Sequence, residues 1–99
     1  MDTYLKARME DKITRAEVAK IISIYAEKFM DKKATLNPMC YRFKDLGDTN
    51  AELQGYVVKA CNLGLMGYWS DGVHTKEYFS PNDTITRAEV GVLLSRLFR

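Results

Sequence analysis

The chain has 99 residues, 46% of them hydrophobic, which suits one domain with a single core. Fifteen Lys and Arg against 13 Asp and Glu leave a net charge of +2, too small for the electrostatic footprint of a nucleic-acid or anionic-membrane binder, so any anion must be captured locally. No apolar run approaches the ~20 residues of a bilayer-crossing helix, and no transmembrane segment is predicted.

Met1 to Lys12 mixes Asp2, Lys6, Arg8, Glu10, Asp11 and Lys12 with few apolar residues, unlike the apolar stretch of a secretory signal. Export would be directed by residues outside this sequence, and the chain reads as a piece of a longer precursor. The block Ile13-Thr14-Arg15-Ala16-Glu17-Val18 then predicts a helix start with a capping box, Thr14 accepting from the amide three residues on and Glu17 reaching back. Val18, Ile21, Ile22, Tyr25 and Phe29 follow at helical spacing and line its apolar face. Met30 to Asp48, with Pro38 and Gly47, has the chemistry of turns. Thr49 and Glu52 offer a second capping box, Leu53, Tyr56, Val57, Ala60 and Cys61 a second apolar face, and Gly64 a stop. Leu65 to Thr84 is again turn-like, with Gly67, Gly72 and Pro81. The opening block returns unchanged as Ile85-Thr86-Arg87-Ala88-Glu89-Val90, and Asp11 is answered by Asp83, so two copies of one helix-start unit are present. Val90, Leu93, Leu94 and Leu97 continue the last helix. The fold class is all-α, three principal helices with long loops and no sheet, sharing a core of Val18, Ile21, Ile22, Tyr25, Leu53, Val57, Leu93, Leu94 and Leu97.

Cys40 and Cys61 allow one intramolecular pairing and form no CxxC or His-linked zinc pattern. A disulfide between them and a buried free thiol at Cys61 both fit. His74 is the only histidine and has no recognisable nucleophile to serve, while Asp45, Asp48 and Glu52 suit capped turns better than glycosidase work. The Asp48-x-Asn50 start fails as a calcium loop because Leu53 stands where the glycine is required. No enzyme activity, metal or cofactor is expected.

Arg15 and Arg87 sit in the first turn of their helices, where the macrodipole disfavours a cation by up to ~1 kcal/mol. Two partners would offset this: an external carboxylate held by guanidinium and helix amides, or an internal acid such as Glu17, Glu89, Asp45 or Asp48. Asp45, Gly67, Trp69, Asp71 and Gly72 are candidates for the rest of a sugar groove, since glycines admit a close approach, carboxylates accept from hydroxyls and an indole stacks on a sugar face. Each also has a structural reading: Asp45 as a turn cap, the glycines as positive-φ positions, and Trp69 as a core residue, the more usual fate of a lone large aromatic.

The stretch Phe43 to Phe98, with its Phe43-x-Asp45 opening, helix ending at Gly64-Leu65, Gly67…Asp71-Gly72 loop, Phe79-x-Pro81 turn and Ile-Thr-Arg-Ala-Glu helix start, resembles one complete S-layer homology repeat. Ile13 to Phe29 resembles the second half of a preceding repeat, giving about one and a half repeats: 1–33 a half-repeat, 34–42 a connector, 43–99 a complete repeat, all in one domain. The chain departs from the family pattern in lacking further repeats, in having Ala51-Glu52-Leu53 where a Trp is frequent, and in the longer loop from Val73 to Tyr78. The resemblance implies a non-catalytic module outside a bacterial cell, anchoring a cargo by binding an acidic, often pyruvylated, wall polysaccharide, with the arginine of Thr-Arg-Ala-Glu contacting the acidic ketal. The glycan-binding residues expected from it are Arg15, Arg87, Asp45, Gly67, Trp69, Asp71 and Gly72. The alternative is an assembly module that self-associates through the surface left by the missing half-repeat, as a homo-oligomer. A helix-turn-helix nucleic-acid binder has only its helix count in favour.

Overall fold

A computed structural model describes residues 13–69 and 71–98. The readings made on Met1 to Lys12, and the match of Asp11 to Asp83, lie outside them. Helix α1 (Arg15–Phe29) and helix α3 (Arg87–Leu97) both start with the complete capping box. The Glu17 amide donates to Thr14 Oγ1 at 3.2 Å and Thr14 N donates to Glu17 Oε1 at 3.0 Å, and Thr86 and Glu89 repeat the arrangement at 3.2 and 3.1 Å. Helix α2 (Ala51–Asn62) starts one residue later than the sequence suggested. Its N-cap is Asn50, which accepts from Leu53 N at 2.9 Å, so the expected Thr49–Glu52 box does not form. Asn caps a helix at least as well as Thr, and the Glu52 carboxylate is engaged by Lys20 at 2.6 Å. Gly64 ends α2 with φ of +78°: its amide donates to Cys61 O and that of Leu65 to Ala60 O, the paired bonds of a Schellman motif.

Helices α1 and α2 run side by side and parallel, as Lys20–Glu52 and Glu27–Lys59 ion pairs at either end of the contact record. The buried face of α1 is made by Ala16, Val18, Ala19, Ile22, Ser23 and Ala26, whereas Ile21 and Tyr25 are only partly buried and Phe29 is 73% exposed. The face is therefore turned from the one expected. Small residues mark where two helices approach closest, and counting only large side chains overlooks them. Ser23 belongs to this stripe, its hydroxyl buried without a hydrogen-bond partner among the described residues.

Helix α3 joins the same core through Leu93 and Leu97, which Phe79, Leu65 and Phe43 share; Leu53 and Leu94 are partly buried against that core. The described residues contain no strand, only the isolated antiparallel bridges Thr14–Thr84 and Tyr68–Thr75. The connector between α1 and α2 holds two 3-10 turns, Pro38–Tyr41 and Leu46–Asp48. Of the two readings of the cysteines, the structure shows the disulfide: Cys40 in the first of these turns is bonded to Cys61 in the last turn of α2, with their Cα atoms 5.7 Å apart.

Candidate functional site

The Tyr68–Thr75 bridge closes a short hairpin in which Trp69 N donates to His74 O at 2.9 Å and Lys76 N to Gly67 O at 2.8 Å. Neighbouring residues of an extended segment point to opposite sides. Tyr68 turns inward, its hydroxyl donating to Cys61 O and accepting from Asn37 Nδ2, and Trp69 turns outward. The expectation that Trp69 fills the core is thereby corrected: its side is 56% exposed, and Phe79, Leu65 and Leu97 occupy the interior instead. Gly67 beneath it has φ of +88°, and a Cβ there would lie 2.5 Å from Phe43 Cζ, so this position needs glycine to seat the Phe43 ring whatever else approaches it.

Trp69 forms one rim of a groove of about 300 Å³ between the hairpin and α3, floored by Leu65, Met66 and Leu93. Three cations face it: Arg15, Lys76 and Arg96. Lys76 Nζ lies 5.1 Å from the centre of the Trp69 ring. Burial, then the charges of Arg15 and Arg96, push the Lys76 ammonium below its usual pKa. Arg96 donates to Trp69 O at 2.9 Å and to Leu65 O at 3.4 Å, which ties the hairpin to the last turn of α3. The single acid lining the groove, Glu89, is already paired with Arg15.

Arg15 is held from within. It is 8% exposed, its Nε donates to Phe79 O at 2.9 Å, its guanidinium lies 5.5 Å over the Phe79 ring, and it is ion-paired with Glu89. Burial pushes its pKa down while Asp83 and Asp45 act the other way. The amides of Arg15 and Ala16 donate to Asp83 O at 2.8 Å and Pro81 O at 3.0 Å, so the start of α1 is filled by the chain's own Pro81–Asp83 turn. Of the two partners open to it on sequence, Arg15 has the internal one. Arg87, identical in local sequence, is exposed, makes no ion pair with a described residue and does not line the groove, although Ala88 and Glu89 beside it do.

Asp45 serves a turn: its carboxylate accepts from Phe79 N at 2.9 Å and Ser80 N at 2.8 Å, while Phe43 meets Phe79 edge-on at 5.4 Å. Asp71 and Gly72 border a shallow hollow beside the groove, shared with Arg96 and Ser95. Asp71 accepts from the amides of Val73 and His74 and from His74 Nδ1, at 2.6 Å. The His74 contact first, then the Val73 and His74 amides, lowers its pKa from 3.8 to about 2. A carboxylate with a depressed folded pKa lends stability that is complete above the unfolded value and lost as pH falls through the folded one. The hairpin is therefore expected to loosen between about pH 4 and pH 2. His74→Ala should move the Asp71 carboxyl titration, followed by carbon NMR, up towards 3.8; an unmoved midpoint would assign the shift to other neighbours.

The sequence singled out Gly67, Trp69 and Arg15 at this groove but neither Lys76 nor Arg96. Their only signal is a placement that the hairpin and α3 create together. Residues 42–90 match the family model of the S-layer homology domain. This segment is an S-layer homology domain. No curated protein matches the chain, and no solved structure does. S-layer homology domains are non-catalytic modules that associate with the cell wall and anchor proteins at the cell surface. The matched segment of the S-layer homology domain carries Asp45, Trp69, Lys76 and Arg87, while Arg15 and Arg96 come from the flanking residues. No described helix is long and apolar enough to cross a membrane.

Proposed function

We propose that this domain anchors its parent protein outside a bacterial cell by binding an acidic secondary cell-wall polysaccharide in the groove between the Trp69 hairpin and α3. The observation that carries the reading is the convergence of Arg15, Lys76 and Arg96 on a groove rimmed by an exposed indole, with one acid already neutralised. Cations select the carboxylate of an acidic sugar and the aromatic face takes its ring. The Cys40–Cys61 disulfide supports an oxidising, extracellular setting. Within this reading Lys76 and Arg96 are the anion-facing groups, Arg15 stabilises the wall behind them, and Gly67, Asp71 and Gly72 shape the rim. Residues 13–29 act as the half-repeat that supplies Arg15.

Co-sedimentation with purified wall polysaccharide tests it. Trp69→Ala is expected to weaken retention about tenfold, the loss of ~1.4 kcal/mol of ring contact, with an unchanged melting temperature because the indole is largely exposed. Retention lost in Arg87→Ala but kept in Trp69→Ala would move the ligand to the start of α3. No retention of the unaltered protein would overturn the reading. A second reading, self-association, draws on the exposed Phe29, Leu36, Val92 and Phe98; a solution mass constant at 11.4 kDa across concentrations opposes it.

A further inference from the structure

One face of the groove's aromatic platform already has an occupant, although Trp69 is 56% exposed. Trp69 is the only tryptophan in the chain, and the ammonium of Lys76 stands over its ring at 5.1 Å. No carboxylate among the described residues pairs with that ammonium, and the nearest strong charges, Arg15 and Arg96, repel it. The indole is thus the partner left to Lys76 in the unliganded groove. Its main chain is pinned by the bond from Lys76 N to Gly67 O, so movement is confined to a flexible four-carbon side chain.

We propose that Lys76 is a specificity gate, a cation that covers the sugar-stacking face of Trp69 until a carboxylate draws it away. An acidic sugar gives the ammonium a charge-assisted hydrogen bond better than its contact with the ring, and in moving to it Lys76 uncovers the indole for the same sugar. A neutral sugar must displace the cation and gives nothing in return. Discrimination then comes from what the neutral ligand has to break as much as from what the acidic one gains. The inference rests on the groove being the polysaccharide site and adds the rule by which that site selects.

The test uses secondary cell-wall polysaccharide purified from a Gram-positive wall, and the same polymer with its carboxylates reduced to alcohols. Trp69 emission and co-sedimentation are followed together. The unaltered protein is expected to bind the native polymer at least about tenfold more tightly than the reduced one, as befits a lost charge-assisted bond. Lys76→Gln should bind the native polymer about tenfold more weakly yet the reduced polymer about threefold more tightly, the second change being the cover removed. Its Trp69 emission should respond to both polymers, whereas in the unaltered protein it responds to the native one alone. Lys76→Arg should keep the preference for the native polymer. Equal binding of the two polymers by the unaltered protein would overturn the gate and the selection of a carboxylate with it, while polysaccharide binding as such would stand. A Lys76→Gln variant that loses the native polymer without gaining the reduced one would make Lys76 a plain anion contact and overturn the gate too. Binding of neither polymer overturns the underlying reading, and the gate with it.

Discussion

Phe79→Ala is expected to destabilise the domain by ~3–5 kcal/mol, the range for removing a buried aromatic ring from a core that cannot collapse around the cavity. Phe79 is 1% exposed and is the largest fully buried side chain among the described residues. Its ring meets Phe43 edge-on and lies under the Arg15 guanidinium, while its carbonyl accepts from Arg15 Nε and its amide donates to Asp45. Truncation leaves those main-chain bonds in place but removes the surface on which Phe43 and Arg15 converge. A domain of this size is typically stable by only about 5–15 kcal/mol, so roughly a fifth or more of the total is at stake. Denaturant titration reads the change directly, and a loss below about 1 kcal/mol would show that Phe43 and Leu65 refill the space.

Reduction of Cys40–Cys61 is the second large effect. The two residues are 21 apart in sequence, and freeing a loop of that length restores unfolded-state entropy worth ~3 kcal/mol. Both sulfurs are buried, so reduction should be slow in the native state and fast once the chain opens. The consequence reaches the groove, because Tyr68 donates to Cys61 O and Asn37, next to the bonded turn, donates to Tyr68. Unfolding with and without reductant, and of the Cys40→Ala/Cys61→Ala double variant, should agree on the loss. A shift below about 1 kcal/mol would mean that the connector is held by its 3-10 turn and its bonds to Asn62 instead.

What could be read from sequence follows the range of the interactions. The capping boxes at Thr14 and Thr86 and the stop at Gly64 were legible because each is complete within six residues. The phase of α1 was not, because its buried face is completed by Ala16, Ala19, Ser23 and Ala26, which carry little hydrophobic signal. Glu89 stood among the partners open to Arg15, yet two identical hexapeptides give no hint which of them docks on the Pro81–Asp83 turn. The double cap by Asp45 spans 34 and 35 residues and has no local mark. Lys76 and Arg96 reach the groove only because the hairpin returns beside α3, so two of its three cations were illegible although Trp69, Gly67 and Arg15 were not.

A module that holds cargo against a wall is pulled, and the Cys40–Cys61 bond determines how far it can give. The 21-position separation it bridges would span about 70 Å if drawn out, at roughly 3.3–3.6 Å per residue. With the sulfurs joined, tension has only the 5.7 Å between the two Cα atoms to work with over that stretch. The start of α1 is held on the Pro81–Asp83 turn by a handful of hydrogen bonds and the Arg15–Glu89 pair, contacts that can re-form when a pull relaxes. The bridge makes the tether short, and those contacts make it recoverable.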